Sequence, residues 1–129
     1  MTRKKRTDKI FFRYYEIPRD SYVLALFGEE WNRKYGSEGE SLHFHNHLEV
    51  GYCYKGEGVI KLENGDYPYF PQTFTMIPKN CPHSTFGDQV GINSWEFLFI
   101  DVERFLTDLY AGRSRLAEEI SRRINSGAR

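Results

Sequence analysis

Cysteine is scarce. Cys53 and Cys81 are the only two in the chain, which excludes a disulfide-stapled fold and makes a reducing cytoplasm the expected compartment. Net charge is missing too: 18 basic residues balance 18 acidic ones. The chain therefore lacks the basic surplus with which a nucleic-acid-binding surface neutralises phosphates. No apolar run is long enough to span a bilayer, so no membrane partner is expected. The opening "MTRKKRTDK" has no apolar stretch behind its charges. It is not a secretory signal, and residues 1–9 are expected to form a solvated, disordered basic arm. What the chain has in plenty is aromatic residues, 16% of the total. Most belong in a core or on a sheet, and some can supply ring faces to a binding cavity.

At 129 residues the chain is long enough for one domain with its own core. From Ile10 to about Ile100, short apolar and aromatic runs alternate with turn signals, the pattern of a β-sandwich or barrel. "IFFRYYEI", "YVLALFG", "HLEVGYCYKG", "FTMIP" and "NSWEFLFID" read as strands. "EEWNRKYGSEGES" reads as a loop with one helical turn, and Asn64-Gly65 suits a two-residue hairpin turn. Beyond Asp101 the apolar period becomes helical: Phe105, Leu106, Leu109 and Tyr110 form a stripe that Gly112 breaks. A second helix is expected to start with Ser114 as its N-cap and to place Leu116, Ala117, Ile120 and Ile124 on one face. The expected divisions are a barrel at 10–101, a helical dimerisation segment at 102–125 and a linker or cut edge at 126–129.

"LHFHNHLEVGYCYKGEG" concentrates the chemistry. His43 and His45 are two apart and share a face of an extended strand. Glu49 has the same parity, but Asn46-His47 can turn the chain between them. His83 follows two prolines in "IPKNCPHS". Three imidazoles and a carboxylate form a common first shell for a divalent transition metal, with Zn, Ni, Fe and Mn all candidates. The same four residues can equally line a polar pocket and bond a ligand hydroxyl, and spacing alone does not decide between these readings. His47 reads as a turn histidine near solvent, and Cys53 as core.

These segments resemble the cupin superfamily. His43, His45, Glu49 and Gly56 fall on the places of its first motif, and Pro78 and His83 on those of its second. The sequence departs from the pattern where glycine is expected, with Ser37, Gln72 and Asn80 in its place, and where Gly87 replaces asparagine. These changes are expected to weaken the loops while leaving all four ligand positions filled. Over residues 10–124 the chain also resembles the N-terminal effector domain of AraC-type transcription regulators, through "LHFHNHLEVGYCYKGEG", "MIPKNCPHSTFG" and "WEFLFIDVERFL".

That resemblance implies a cupin-type double-stranded β-helix (a jelly-roll barrel) followed by two C-terminal helices. It implies a domain that senses a small molecule, a sugar among the candidates, and is not an enzyme. It further implies a homodimer through the helices, with DNA bound only by a domain this sequence lacks. The expected ligand-binding residues are His43, His45, Glu49, His83, Tyr52, Trp95 and Arg13, the first four doubling as metal ligands. An N-terminal lid formed by the first strand, which carries Arg13 and Tyr15 on one face, stands against a plain edge strand. The helices can pack back on the barrel instead of pairing with a second copy. The main alternative function is a small metal-dependent cupin enzyme of dioxygenase or sugar isomerase type, and a lectin-like module is a third.

Overall fold

In the computed structural model, residues 10–27, 32–33, 42–87 and 92–126 are described. The basic opening, most of the loop expected over 29–41 and the last residues 127–129 lie outside them. The elements in chain order are β1 (Phe11–Arg13), β2 (Val23–Leu26), β3 (Asn32–Arg33), β4 (His43–His45), β5 (Leu48–Lys55), β6 (Gly58–Leu62), β7 (Gly65–Tyr69), β8 (Phe74–Ile77), β9 (His83–Gly87), β10 (Asn93–Ile100), α1 (Val102–Leu109) and α2 (Ser114–Asn125).

The pairing is nested around one hairpin. β6 pairs with β7, β5 with β8, β4 with β9, and β10 with both β2 and β3, all antiparallel. Successive nested pairs fall alternately into two sheets, ordered β1-β4-β9-β6-β7 and β2-β10-β5-β8. A long hairpin rolled up in this way is a jelly roll, and the expected mainly β fold of a double-stranded β-helix followed by two helices is what the chain forms. No helix among the described residues is long and apolar enough to cross a membrane.

Strand parity builds the core. Along β10, Trp95 and Phe99 are buried while Glu96 and Leu98 are exposed, as a period of two requires. Trp95 joins Cys53, Ile60, Tyr69 and Ile77 between the sheets. The buried Tyr69 hydroxyl is satisfied by donating to Asn93 Oδ1 at 2.9 Å. Asn93 in turn demands glycine at position 56. The φ of Gly56 is 105°, and an added Cβ would lie 1.9 Å from Asn93 Oδ1.

A second apolar cluster lies outside the barrel. Leu48, Val102, Leu106 and Ala117 are buried together, with Val50, Ile100, Tyr110, Ile120 and Ile124 packed against them. The helices therefore fold back on the outer face of the second sheet. Asp101 caps α1 by accepting from the Arg104 N–H at 3.2 Å. At α2 the expectation fails: Ser114 is the first helical residue, and Arg113 occupies the cap with no side-chain bond.

Two further expectations change. The hairpin has a two-residue turn, but Leu62 faces Gly65, so the turn residues are Glu63 and Asn64. Gly65 begins β7 with a φ of 145°. The first strand also stops at Arg13, because the Asn46 side chain replaces a strand partner. Asn46 Oδ1 accepts from the Tyr15 N–H at 2.9 Å, and its amide donates to the Tyr15 carbonyl at 3.1 Å.

Candidate metal centre

The period of two puts His43 and His45 on the inner face of β4, at 3% and 1% exposure. Register delivers the third imidazole, because His43 is the direct antiparallel partner of His83 on β9. The His43–His83 and His45–His83 ring centroids are 4.2 and 4.6 Å apart. One ring nitrogen of each of the three histidines lies within 4.8 Å of the others. Glu49 reaches them by another route. The bend at Asn46-His47 carries the chain from the first sheet into the second, so the carboxylate faces the imidazoles across the barrel. Its oxygens stand 3.5 Å from His45 Nε2 and 3.8 Å from His83 Nε2. These separations are too long for good hydrogen bonds.

The local chemistry suits a cation. His83 Nδ1 lies 2.9 Å from the Cys81 carbonyl. A carbonyl only accepts, so Nδ1 carries a proton, and Nε2 is the nitrogen on the Glu49 side. A histidine whose Nδ1 is bonded to a backbone carbonyl is oriented to ligate a metal through Nε2. Burial, then His83, His43 and Arg13, push the His45 imidazole down to about 3, with a backbone contact from His47 working the other way. His45 is therefore a neutral base at physiological pH, the form a metal requires. Its buried Nδ1 has no hydrogen-bond partner. The triad of His43, His45 and His83 can hold a metal ion, with Glu49 the adjacent carboxylate.

Aromatic rings wall the site. Tyr15 stacks on Phe99 at 4.0 Å between centroids, and both present edges to His45, at 5.8 and 5.2 Å. Arg13 pairs with His45 in the parallel ladder of β1 and β4, so the two share a face. The N-terminal segment thus brings Arg13 and Tyr15 beside the centre.

Two other expected ligand residues are not brought to it. Tyr52 is three residues from Glu49 on a regular strand and so points to the opposite face. It packs against Tyr54 and Phe74 in a groove outside the barrel. Trp95 is inside the barrel but belongs to the core, stacked on Phe97 at 5.5 Å. Phe97 and Phe99 separate it from the imidazoles along β10. His47 is half-buried in the bend, outside the converging triad. Burial pushes the thiols of both Cys53 and Cys81 up. At Cys81 the carbonyl is the group that acts on the site.

Of the substitutions at glycine places, Ser37 lies outside the described residues, and the other two keep a positive φ. Gln72 and Asn80, two of the positions where the motif has glycine, are the non-glycine residues with positive φ among those described, at 73° and 59°. They keep the backbone that glycine would have and bear its steric cost. Asn tolerates that region best, through its short polar side chain. Sequence reasoning passed over Asn46, Asn80 and Phe99. The signal for Asn80 was its glycine place, while Asn46 and Phe99 act through tertiary contacts that no spacing reveals.

The sequence profile of the AraC-like ligand binding domain family matches residues 32–116. Among curated proteins, L-ectoine synthase from Vibrio campbellii is 42% identical over 43 residues, which are 33% of this chain and 34% of that protein. L-ectoine synthase from Aliivibrio fischeri matches to the same extent. The matched stretch spans about a third of the length of these relatives. Among solved structures, ectoine synthase from P. lautus is 27% identical with a TM-score of 0.46, covering 54% of this chain and 49% of that one. An RmlC-like cupin from Shewanella frigidimarina is 20% identical with a TM-score of 0.49, covering 65% and 71%. The expectation that the chain is no enzyme is overturned by these matches, because the curated relatives it resembles are named as enzymes.

Proposed function

The chain belongs to the AraC-like ligand-binding domain family, and from that premise we propose that it binds a small molecule at a divalent metal centre inside the barrel, as the sensing domain of a transcription regulator. The observation that carries this reading is the buried convergence of His43, His45 and His83 opposite the Glu49 carboxylate. His43, His45, Glu49 and His83 would hold the ion, which would supply Lewis acidity to a ligand oxygen. Arg13 places positive charge beside His45 and favours an electron-rich ligand group. Tyr15 and Phe99 exclude water from the His45 side. Phe105 and Leu109 are exposed on α1, and the reading includes a second copy packed against them.

A second reading is favoured by the stretch that is 42% identical to L-ectoine synthases. In it, the same residues form a metal-dependent catalytic centre. Incubating L-ectoine with metal-loaded protein and following it by NMR separates the two. Conversion that is lost in Glu49→Gln supports the enzyme reading, and L-ectoine that is bound or ignored but left chemically unchanged counts against it. For the sensing reading, the test is a screen of small sugars and polar metabolites by thermal shift with and without metal. A metal-dependent rise in Tm supports it. An unchanged Tm across the screen counts against a ligand at this centre.

A further inference from the structure

The five-residue loop from Pro78 to Pro82 touches the histidine centre and the helices at once. On its inner side, the Asn80 N–H donates to the His45 carbonyl at 2.8 Å. The Cys81 carbonyl accepts from His83 Nδ1 at 2.9 Å. On its outer side, Lys79 ion-pairs with Glu103 of α1. Glu103 Oε1 in turn accepts from the Asn125 side-chain amide at 2.9 Å, and Asn125 is the last residue of α2. Two metal-ligand candidates and the far end of the C-terminal helix therefore meet across three consecutive residues, Lys79, Asn80 and Cys81.

The backbone of the loop has little conformational freedom of its own. Proline at each end fixes φ there, and Asn80 holds a φ of 59°, a conformation with few alternatives for a side-chain-bearing residue. The seat of α2, by contrast, is loose at this point. Asn125 Oδ1 is buried without a partner. A cavity of ≈ 480 Å³ opens beside it, lined by Lys79, Glu103, Ser121 and Asn125 among others. Ala117, Ile120 and Ile124 anchor α2 on the sheet, but beside its last turn the seat is hollow and partly unsatisfied, and that end can shift where a filled seat would resist.

We propose that Lys79, Glu103 and Asn125 are positioning residues that couple ion binding at His43, His45 and His83 to the seating of α2. The proposal rests on the metal reading given above. An ion that holds His45 and His83 also holds their two bonds to the loop, and the loop transmits that order through Lys79 to Glu103 and Asn125. Linkage makes the effect reciprocal: loosening α2 from the loop weakens the ion, and the ion tightens α2. The Lys79–Glu103 pair is part-exposed, so the effect of cutting it is modest, roughly threefold to fivefold in affinity.

The test uses the whole chain and Zn²⁺ as probe. Zinc affinity is measured by chelator competition for wild type, Glu103→Gln, Lys79→Met and Arg123→Ala. The last breaks the exposed Glu119–Arg123 pair on the same helix without touching the loop. Hydrogen exchange of the α2 amides is followed with and without zinc. Expected are slower α2 exchange on adding zinc to wild type, loss of that slowing in Glu103→Gln and Lys79→Met, zinc affinity weakened about threefold to fivefold in both, and no change in Arg123→Ala. A merely structural role would speed exchange throughout the chain and leave the response to zinc intact. Zinc binding to wild type with unaltered α2 exchange overturns the coupling and leaves the metal reading standing. Absence of zinc binding overturns both. The wild-type exchange comparison decides the matter even where a variant fails to fold.

Discussion

His83 Nδ1 lies 2.9 Å from the carbonyl oxygen of Cys81, two residues before it. That contact places a proton on Nδ1 and sets Nε2 on the side of Glu49, 3.8 Å away. The backbone of Cys81 does this, so its thiol is dispensable. Cys81→Ala should keep zinc affinity within about twofold, whereas His83→Ala, which removes a ligand, should weaken it by at least about a hundredfold. Chelator competition measures both. Equal losses in the two variants would show that the thiol, and not the carbonyl, serves the centre.

Gln72 pays for a backbone conformation that its side chain does not favour. Its φ is 73°, and a non-glycine residue there is strained by about 1 kcal/mol. Gln72→Gly should raise stability by roughly 0.5 kcal/mol once the added freedom of the unfolded glycine is subtracted. Asn80→Gly, starting from a residue at home in this region, should change it by less than about 0.3 kcal/mol. Urea denaturation midpoints give the comparison. A Gln72→Gly protein less stable than wild type would mean that the side chain makes a contact worth more than the strain.

The two substituted motif positions show how far the sequence could be read. Their identity was visible, and so was the glycine they replace. That they keep a positive φ was not, because a glycine place filled by another residue can mean either a changed loop or a strained one. The same division runs through the site. His43 and His45 follow from a period of two, and His83 from the motif. Glu49 could not be placed by parity, since the bend at Asn46-His47 moves the chain from one sheet to the other. Tyr52 suggests a pocket residue by being aromatic, but its spacing from Glu49 puts it on the opposite face of β5. For Trp95 the spacing shows the face but not the depth along the barrel, because depth depends on how Phe97 and Phe99 fill the space beside it. The helical stripe was legible, but the surface it covers was not. Leu48, Val50 and Ile100 become its partner only once the sheet is formed.

The Asn46 side chain binds both the N–H and the carbonyl of Tyr15, holding that ring against Phe99 and His45. Asn46→Ala leaves two part-buried backbone groups without these bonds and should cost about 1–3 kcal/mol. The ring should also loosen over the centre. Zinc bound to this variant should exchange with a chelator faster than from wild type, a change that lost stability elsewhere would not produce. Unchanged stability together with an unchanged release rate would remove the clamp from the account.

Acid should weaken the metal-free protein through His45. An unfolded histidine titrates near 6.5, and in the folded chain this one is pushed down to about 3. Between those values the unfolded chain takes up a proton that the folded chain refuses. The stability this neutral imidazole contributes is therefore complete above pH 6.5 and is lost as pH falls toward 3, by at most about 1.4 kcal/mol per pH unit. Urea unfolding in the presence of EDTA should show a folded state roughly 2 kcal/mol less stable at pH 5 than at pH 7 from this group. His45→Gln should have a flatter profile. An identical slope in the variant would assign the loss to other groups.

The account turns on whether His43, His45 and His83 hold an ion. The direct measurement is elemental analysis of protein purified without chelator and then loaded with one equivalent of Zn²⁺, Ni²⁺, Mn²⁺ or Fe²⁺ before desalting. The account predicts about one retained ion per chain, removed by EDTA, lost in His43→Ala, His45→Ala and His83→Ala, and kept in His47→Ala. No retained ion under any of these loadings, from protein that is folded, would contradict it and leave the four residues as a polar lining.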